Sequence, residues 1–202
     1  MYIISAITPQ KRSKTRYNIM TEEGFLLSLS EESIVRHSLK TGKEISPELL
    51  AELKQEDSLK YAKELSLRYV TYAPRSRQQL VKHLQQRELD SESIEGACAF
   101  MEEYGYIDDE RFARMYAETY LKKYSPYVVK QRLMNEGVSS TIAEAVTADC
   151  ETTDTLQNLF EKLQKKYQSE EPVKQKKKIC DALARRGYRW SEIAFLFHDD
   201  EY

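Results

Sequence analysis

The stretch SPYVVKQRLMNEGVSSTI, residues 125–142, sets Val129 and Leu133 one helical turn apart, crosses a polar break, and resumes with Val138 and Ile142. Apolar residues four apart lie on one helical stripe, so the stretch reads as an amphipathic helix, a tight turn and the start of another helix. The same pattern stands upstream at Leu80, Leu84, Leu89 and Ile94, and downstream at Ile179, Leu183, Tyr188 and Ile193, a period of about 50 residues. One such unit buries too little surface to stand alone. Three in series share a core and leave a long face free, which suits a binding surface better than a reaction pocket.

The helix starts repeat with the core. Ser125-Pro126 supplies a cap and a proline for the first helical turn, and Ser76 with Gln79 forms a capping-box pattern ahead of Leu80. The third copy has Gln175 in place of that serine, so its middle helix is expected to start earlier, after Pro172. Repeat one opens near Ser58, with Tyr61, Ala62, Leu65 and Tyr69 as the inner face of a helix that Pro74 ends. Asp108-Asp109-Glu110 opens the first helix of repeat two, where acids favour the positive end of the dipole, and its inner face is Phe112, Ala113, Tyr116 and Tyr120. Gly105 just before it is placed to close the preceding helix in the left-handed conformation. The join at Thr152–Asp154 reads either as helix or as a bend.

The first fifty or so residues lack the repeat. Tyr2–Thr8, Arg16–Met20 and Gly24–Leu29 look like strands of a small antiparallel sheet. Ser30 then caps a helix carrying Ile34 and Val35, Thr41-Gly42 breaks the chain, and Ser46-Pro47 starts a helix with Leu49, Leu50 and Leu53. The expected organisation is a small mixed domain at 1–57 and helical repeats at 58–107, 108–152 and 153–202. The fold class is mainly α, tandem three-helix repeats behind a small α/β amino-terminal domain.

Composition agrees. Of 202 residues 32% are charged and 41% hydrophobic, a balance that suits an elongated helical protein with much surface, and only six Gly and five Pro occur. Cys98, Cys150 and Cys180 form no CxxC pair, and Cys98 among Ala97, Ala99 and Phe100 reads as a buried thiol. No apolar run reaches the roughly 18 residues of a membrane span, and the amino terminus does not read as a signal peptide. A cytoplasmic protein is expected.

Chemistry is sparse. No nucleophile elbow, P-loop or dinucleotide glycine pattern occurs, which argues against an enzyme. Asp108 and Asp109 are better explained as helix-start acids than as an acid/base pair. His198-Asp199-Asp200-Glu201 has the composition of a metal site, but a frayed terminus holds ligands poorly. No metal and no cofactor are expected. His37 and His83 stand isolated.

Charge is uneven beneath a net of -2, acids prevailing from Met20 to Leu67 and bases from Thr153 to Phe197. Fourteen tyrosines occur, with Tyr69, Tyr72, Tyr104, Tyr106, Tyr116, Tyr120, Tyr124 and Tyr127 gathered in repeats one and two. They read as core-edge residues, or as stacking groups for bases and anchors for a protein. The candidate partner surface is the basic set Arg68, Arg75, Arg77, Lys82, Lys122, Lys123, Lys130, Arg132, Lys174, Lys176, Lys177 and Lys178.

The block Gly105-Tyr106-Ile107-Asp108-Asp109-Glu110-Arg111-Phe112-Ala113, preceded by Pro74-Arg75-Ser76 with Leu80 and Leu84, resembles the signature of RecX, the bacterial regulator of the RecA recombinase. The resemblance covers roughly Ser58–Phe197, and the mixed extension before it is similar to that of longer members. It implies three-helix repeats in an elongated curved array. It also implies a monomer that binds RecA, especially its filament on single-stranded DNA, and dampens ATP hydrolysis, strand exchange and LexA cleavage. It supplies no catalytic residues and no individual contacts, and repeat three departs most from the pattern. The alternative reading is a helical-repeat binder of single-stranded nucleic acid acting without RecA, for which Lys174, Lys176, Lys177 and Lys178 speak.

Overall fold

The computed structural model describes residues 1–10, 15–148 and 153–197. Residues 11–14 between the first two expected strands, Cys150, Thr152 and the terminal His198–Glu201 group lie outside the described residues. The chain divides into two units, residues 1–73 with 80–106, and residues 74–79 with 107–202.

In the first unit, strands β2 (Ala6–Pro9), β3 (Arg16–Thr21) and β4 (Gly24–Ser30) pair antiparallel in that order. Alternation along β3 and β4 sends Ile19, Leu27 and Leu29 into the core. The single first strand expected from the sequence is in fact two. β1 (Tyr2–Ile3) pairs with β5 (Glu44–Ile45), a strand the sequence reading lacks. The chain changes partner at Ile4, whose N–H donates to the Lys43 carbonyl at 3.0 Å, whereas Ser5 N–H donates to Met20 at 2.8 Å. Ile4 is fully buried at that crossover and joins both ribbons to one core with Ile45, Leu50 and Leu53.

Helix α1 (Glu31–Arg36) starts at Ser30, whose hydroxyl accepts from Ser33 N–H. Helix α2 (Pro47–Tyr72) starts at Ser46 with Pro47 in its first turn, as expected. It then runs for 26 residues, so the boundary expected at 57/58 falls inside one continuous helix. Leu50 and Leu53 near its start join the sheet core, while Ala62, Leu65 and Val70 are buried in its second half. Between them the polar stretch Lys54–Ser58 stays helical, and Asp57 is tied to Arg16 of β3 at 2.5 Å. The helix stops at extended Ala73, ahead of Pro74. Helix α3 (Arg77–Gln85) and helix α4 (Ser91–Glu103) complete this repeat, with Cys98 a buried thiol.

Asp90 caps α4. Its Oδ1 accepts from Ser93 N–H at 2.8 Å and its Oδ2 from the Ser58 hydroxyl at 2.5 Å. Burial alone raises this carboxyl, but the hydrogen bonds from Ser58, Ser93 and Gln55 outweigh it and hold the group well below the usual carboxylate range. A depressed folded pKa stabilises above the unfolded value, about 4, and that contribution is lost as pH falls through the folded one. Asp90→Ala is therefore expected to cost about 1 kcal/mol at neutral pH. Urea denaturation of both proteins against pH checks this, with the difference shrinking below about pH 4.

The second unit holds α5 (Asp109–Tyr120), α6 (Pro126–Asn135) and α7 (Ser140–Ala145), then α8 (Thr153–Lys166), α9 (Pro172–Ala184) and α10 (Trp190–Phe195). Phe112, Val129, Leu133 and Val138 centre one core, and Phe160, Ile179, Leu183, Tyr188 and Ile193 centre the next. The expected inward residues are buried except Tyr116, Tyr120 and Ile142, which are half-buried against the first of these cores. Helix α9 begins at Pro172 as expected, leaving Gln175 inside the helix with its amide donating to the Gln164 carbonyl at 3.3 Å.

Successive repeats join through one recurring contact. The N-cap serine of a middle helix meets the turn that ends the next middle helix: the Ser76 hydroxyl donates to Glu136 O at 2.5 Å, and Ser125 N–H donates to Arg186 O at 2.9 Å. Both serines are buried, and each also accepts from the third N–H of its own helix. Gln79 completes the box on Ser76 N–H and reaches Glu136 Oε2 at 2.8 Å. The turn is closed by Gly137 at φ +89 or Gly187 at φ +87, and the approach is so tight that a Cβ would lie 2.1 Å from Gln78 Oε1 or 2.3 Å from Val128 Cγ2. In repeat one the corresponding residue is Glu88 at φ 59. A side chain stands there because no serine of an earlier repeat docks on that turn.

Candidate partner surface

The acidic pair that opens α5 divides its labour. Asp108 caps its own helix by accepting from Arg111 N–H at 2.9 Å, and Asp109 accepts from Arg77 N–H at 2.9 Å, capping α3 instead. The capping reading thus holds for both acids, with the second cap on a helix 32 residues earlier in the chain. Sequence spacing gave no sign of that partner.

The aromatic cluster of repeat two is a ladder along α5. Phe112 and Tyr116 lie 5.9 Å apart, Tyr116 and Tyr120 stack at 4.2 Å, and Tyr124 follows at 6.2 Å. Arg132 of α6 closes it, its guanidinium 3.8 Å from the Tyr124 ring centre. A hydrogen bond and the positive charge of Arg132 hold the Tyr124 phenol below its usual range, and Tyr124 in turn raises Arg132. Burial, then the neighbouring Tyr120, push Tyr116 up. These rings pack on one another and on Arg132, the core-edge arrangement. Tyr69 stacks on His83 at 4.1 Å. Of the tyrosines gathered in repeats one and two, Tyr72, Tyr104, Tyr106 and Tyr127 are exposed.

The twelve basic candidates fall into two groups. Arg132 is committed to the ladder, Lys130 to Glu144 at 2.9 Å, Lys174 to Glu171 at 3.4 Å, and Lys178 to Glu170. Arg75 and Arg77 are half-buried and hold contacts of their own, and Lys176 lies over the Phe197 ring at 4.8 Å. Arg68, Lys82, Lys122, Lys123 and Lys177 are exposed, with no side-chain partner among the described residues. The second group is therefore the better candidate for a partner surface, since its charges have no acid beside them among the described residues. Sequence alone ranks all twelve equally, because pairing depends on which helix faces which.

A groove of about 940 Å³ in the first unit runs beside β4 and α2. Four of its charged groups are tied to one another, Arg16 to Asp57 and Lys60 to Glu32. Among the described residues no three metal-ligating side chains gather, and no helix is long and apolar enough to cross a membrane.

Comparison with known proteins gives one consistent answer. Family models match four segments in order: the regulatory protein RecX N-terminal domain over residues 2–46, and the first, second and third RecX three-helix domains over 62–101, 108–146 and 149–196. The regulatory protein RecX of Clostridium tetani is 29% identical over 94% of this chain and 90% of its own length. That of Streptococcus agalactiae serotype Ia is 29% identical over 90% of this chain and 72% of its own. A crystal structure of regulatory protein RecX shares the fold at a TM-score of 0.68, with 23% identity and both chains covered in full. RecX from Lactobacillus salivarius aligns at 0.61, with 21% identity over 71% of this chain and 97% of its own. With its amino-terminal domain and three helical repeats all matched in sequence order, this chain belongs to the RecX family of regulatory proteins.

Proposed function

We propose that this chain is a non-enzymatic modulator of RecA that binds the RecA filament on single-stranded DNA and dampens ATP hydrolysis, strand exchange and LexA cleavage. It acts as a monomer in the cytoplasm, in DNA repair and the SOS response. The observation that carries this reading is the match of all four RecX domains in order along the chain. A surface of separate exposed cations and tyrosines suits a partner that is itself repetitive, since each repeat engages one subunit and the contacts act together through effective concentration. No single contact then needs to be strong.

The test is ATP hydrolysis by RecA on single-stranded DNA, titrated with this protein at fixed moderate salt. Suppression is expected at protein levels well below one per RecA. Inhibition that begins only once the protein coats the DNA would count against a filament modulator.

A further inference from the structure

The three repeats each turn from middle to last helix in the same way, and the third does so with different chemistry. Residues 85–91, 134–140 and 184–190 share a positive-φ residue at Glu88, Gly137 or Gly187, then an apolar residue, half-buried at Leu89 and buried at Val138 and Tyr188. The first turn carries Arg87 with Glu88 and Asp90, and the second carries only Glu136. The third carries Arg185, Arg186 and Arg189 and no acid. Since the siblings close the same turn with no arginine at the positions of Arg185 and Arg189, those two arginines are not required by the fold.

The last helix also gives up its cap. Asp90 and Ser139 each accept from the third N–H of the helix they start, at 2.8 and 3.3 Å. Arg189 occupies that position in α10 and has no acceptor to offer, although Glu192 reaches back to its N–H at 2.6 Å. Next to it, Trp190 stands where the siblings have Ser91 and Ser140, and it is 69% exposed. Arg186 is used internally, donating to Ala182 O at 2.7 Å. Arg185 and Arg189 are exposed, with no side-chain partner among the described residues. Lys177, exposed two turns earlier on α9, continues the positive surface, with Asp181 between it and Arg185.

We propose that this turn is a contact site for single-stranded nucleic acid, with Trp190 stacking on a base and Arg185 and Arg189 meeting the adjacent phosphates. A flat, solvated indole flanked by guanidiniums matches an unpaired base within a phosphodiester chain, because every base offers a π-face and every linkage a negative charge. An acidic peptide would satisfy the arginines and leave the indole without a partner. Trp190, Arg185 and Arg189 lie outside the cations proposed for RecA, so the assignment stands whether or not RecA is the partner.

Trp190 is the only tryptophan of the chain, so its fluorescence reports on this turn alone. The full-length protein is titrated with a short dT oligonucleotide at low salt, while the anisotropy of a labelled copy follows binding independently. Saturable quenching that tracks the anisotropy and reverses with salt is expected. The test variant is R185N/R189S/W190S, which gives those three positions the residues of the second turn. Because Arg189→Ser restores a cap acceptor, the thermal midpoint should be unchanged or higher, which separates lost binding from lost folding. The variant's dT affinity should fall by about 10- to 100-fold, and its salt slope by about 1.4 for the two lost phosphate contacts. Absence of dT binding at low salt, binding without a change in Trp190 emission, or wild-type affinity in the folded variant each overturns the assignment. A variant that binds dT normally but no longer suppresses RecA overturns it too, and makes the turn a protein anchor.

Discussion

Replacing Gly187 by alanine is expected to destabilise the second unit by about 3 kcal/mol, while the same change at Gly105 costs about 1. Both residues are left-handed, at φ +87 and +68, so both variants pay for placing a Cβ in that conformation. The difference lies in what the Cβ meets. At Gly105 nothing stands within 4 Å, whereas at Gly187 Val128 Cγ2 and Ser125 Oγ would be 2.3 and 2.5 Å away. Ser125 has no room to retreat, because it is buried and holds Arg186 O through its N–H and Val128 N–H through its hydroxyl. Gly137→Ala should behave like Gly187→Ala, since Gln78 Cβ would be 2.2 Å from the new methyl. Urea denaturation followed by circular dichroism measures all three. Equal losses at Gly105 and Gly187 would show that the joint is not close-packed.

Reversing charge at Arg68, Lys122, Lys123 and Lys177 together should weaken suppression of RecA ATPase by about 100-fold and leave the fold intact. These side chains are exposed and without partners among the described residues, so glutamate there breaks no internal contact. Against an acidic filament surface each reversal turns an attraction into a repulsion, and losing one engaged module forfeits the gain from acting together. Reversing Lys130 and Arg132 also lowers inhibition, but through the fold, because Glu144 loses its partner and the tyrosine ladder loses its guanidinium. The two classes separate on thermal midpoint, unchanged in the first and lowered in the second. Wild-type inhibition by the folded fourfold variant would remove those residues from the partner surface.

Periodicity carried most of the fold into view from the sequence. Of the four apolar residues read in each repeat all are buried except Leu89 and Ile142, which are half-buried, and the Ser30, Ser46, Ser76 and Ser125 caps stand where their spacing places them. Local rules failed where a decision depended on a distant partner. The boundary expected at 57/58 is helical instead, with Leu50 and Leu53 buried in the sheet core before it and Ala62, Leu65 and Val70 buried after it. Tyr2–Thr8 reads as one strand, but Lys43 and Met20 draw its halves to separate ribbons. For the surface, residue type suggested twelve cations, and only the packing of α6 on α7, or of the residues before α9 on its lysines, distinguishes those already spent. The third turn was legible in principle. Aligning the three repeats exposes Arg189-Trp190 against Asp90-Ser91 and Ser139-Ser140, a contrast that composition conceals.

The serine and glycine of the joint also act as a grammar for how many repeats the chain can hold. A link needs a buried N-cap serine on one repeat and a bare left-handed turn on the next. Repeat one offers the serine but ends its turn in Glu88, and repeat three offers the glycine but has buried its cap position inside α9 as Gln175. Repeat two carries both, Ser125 and Gly137. The first and last repeats therefore work as terminators, and the middle one is the insertable word: a tandem copy of it would present matching ends to both neighbours, whereas a copy of either terminator would leave one join without its half.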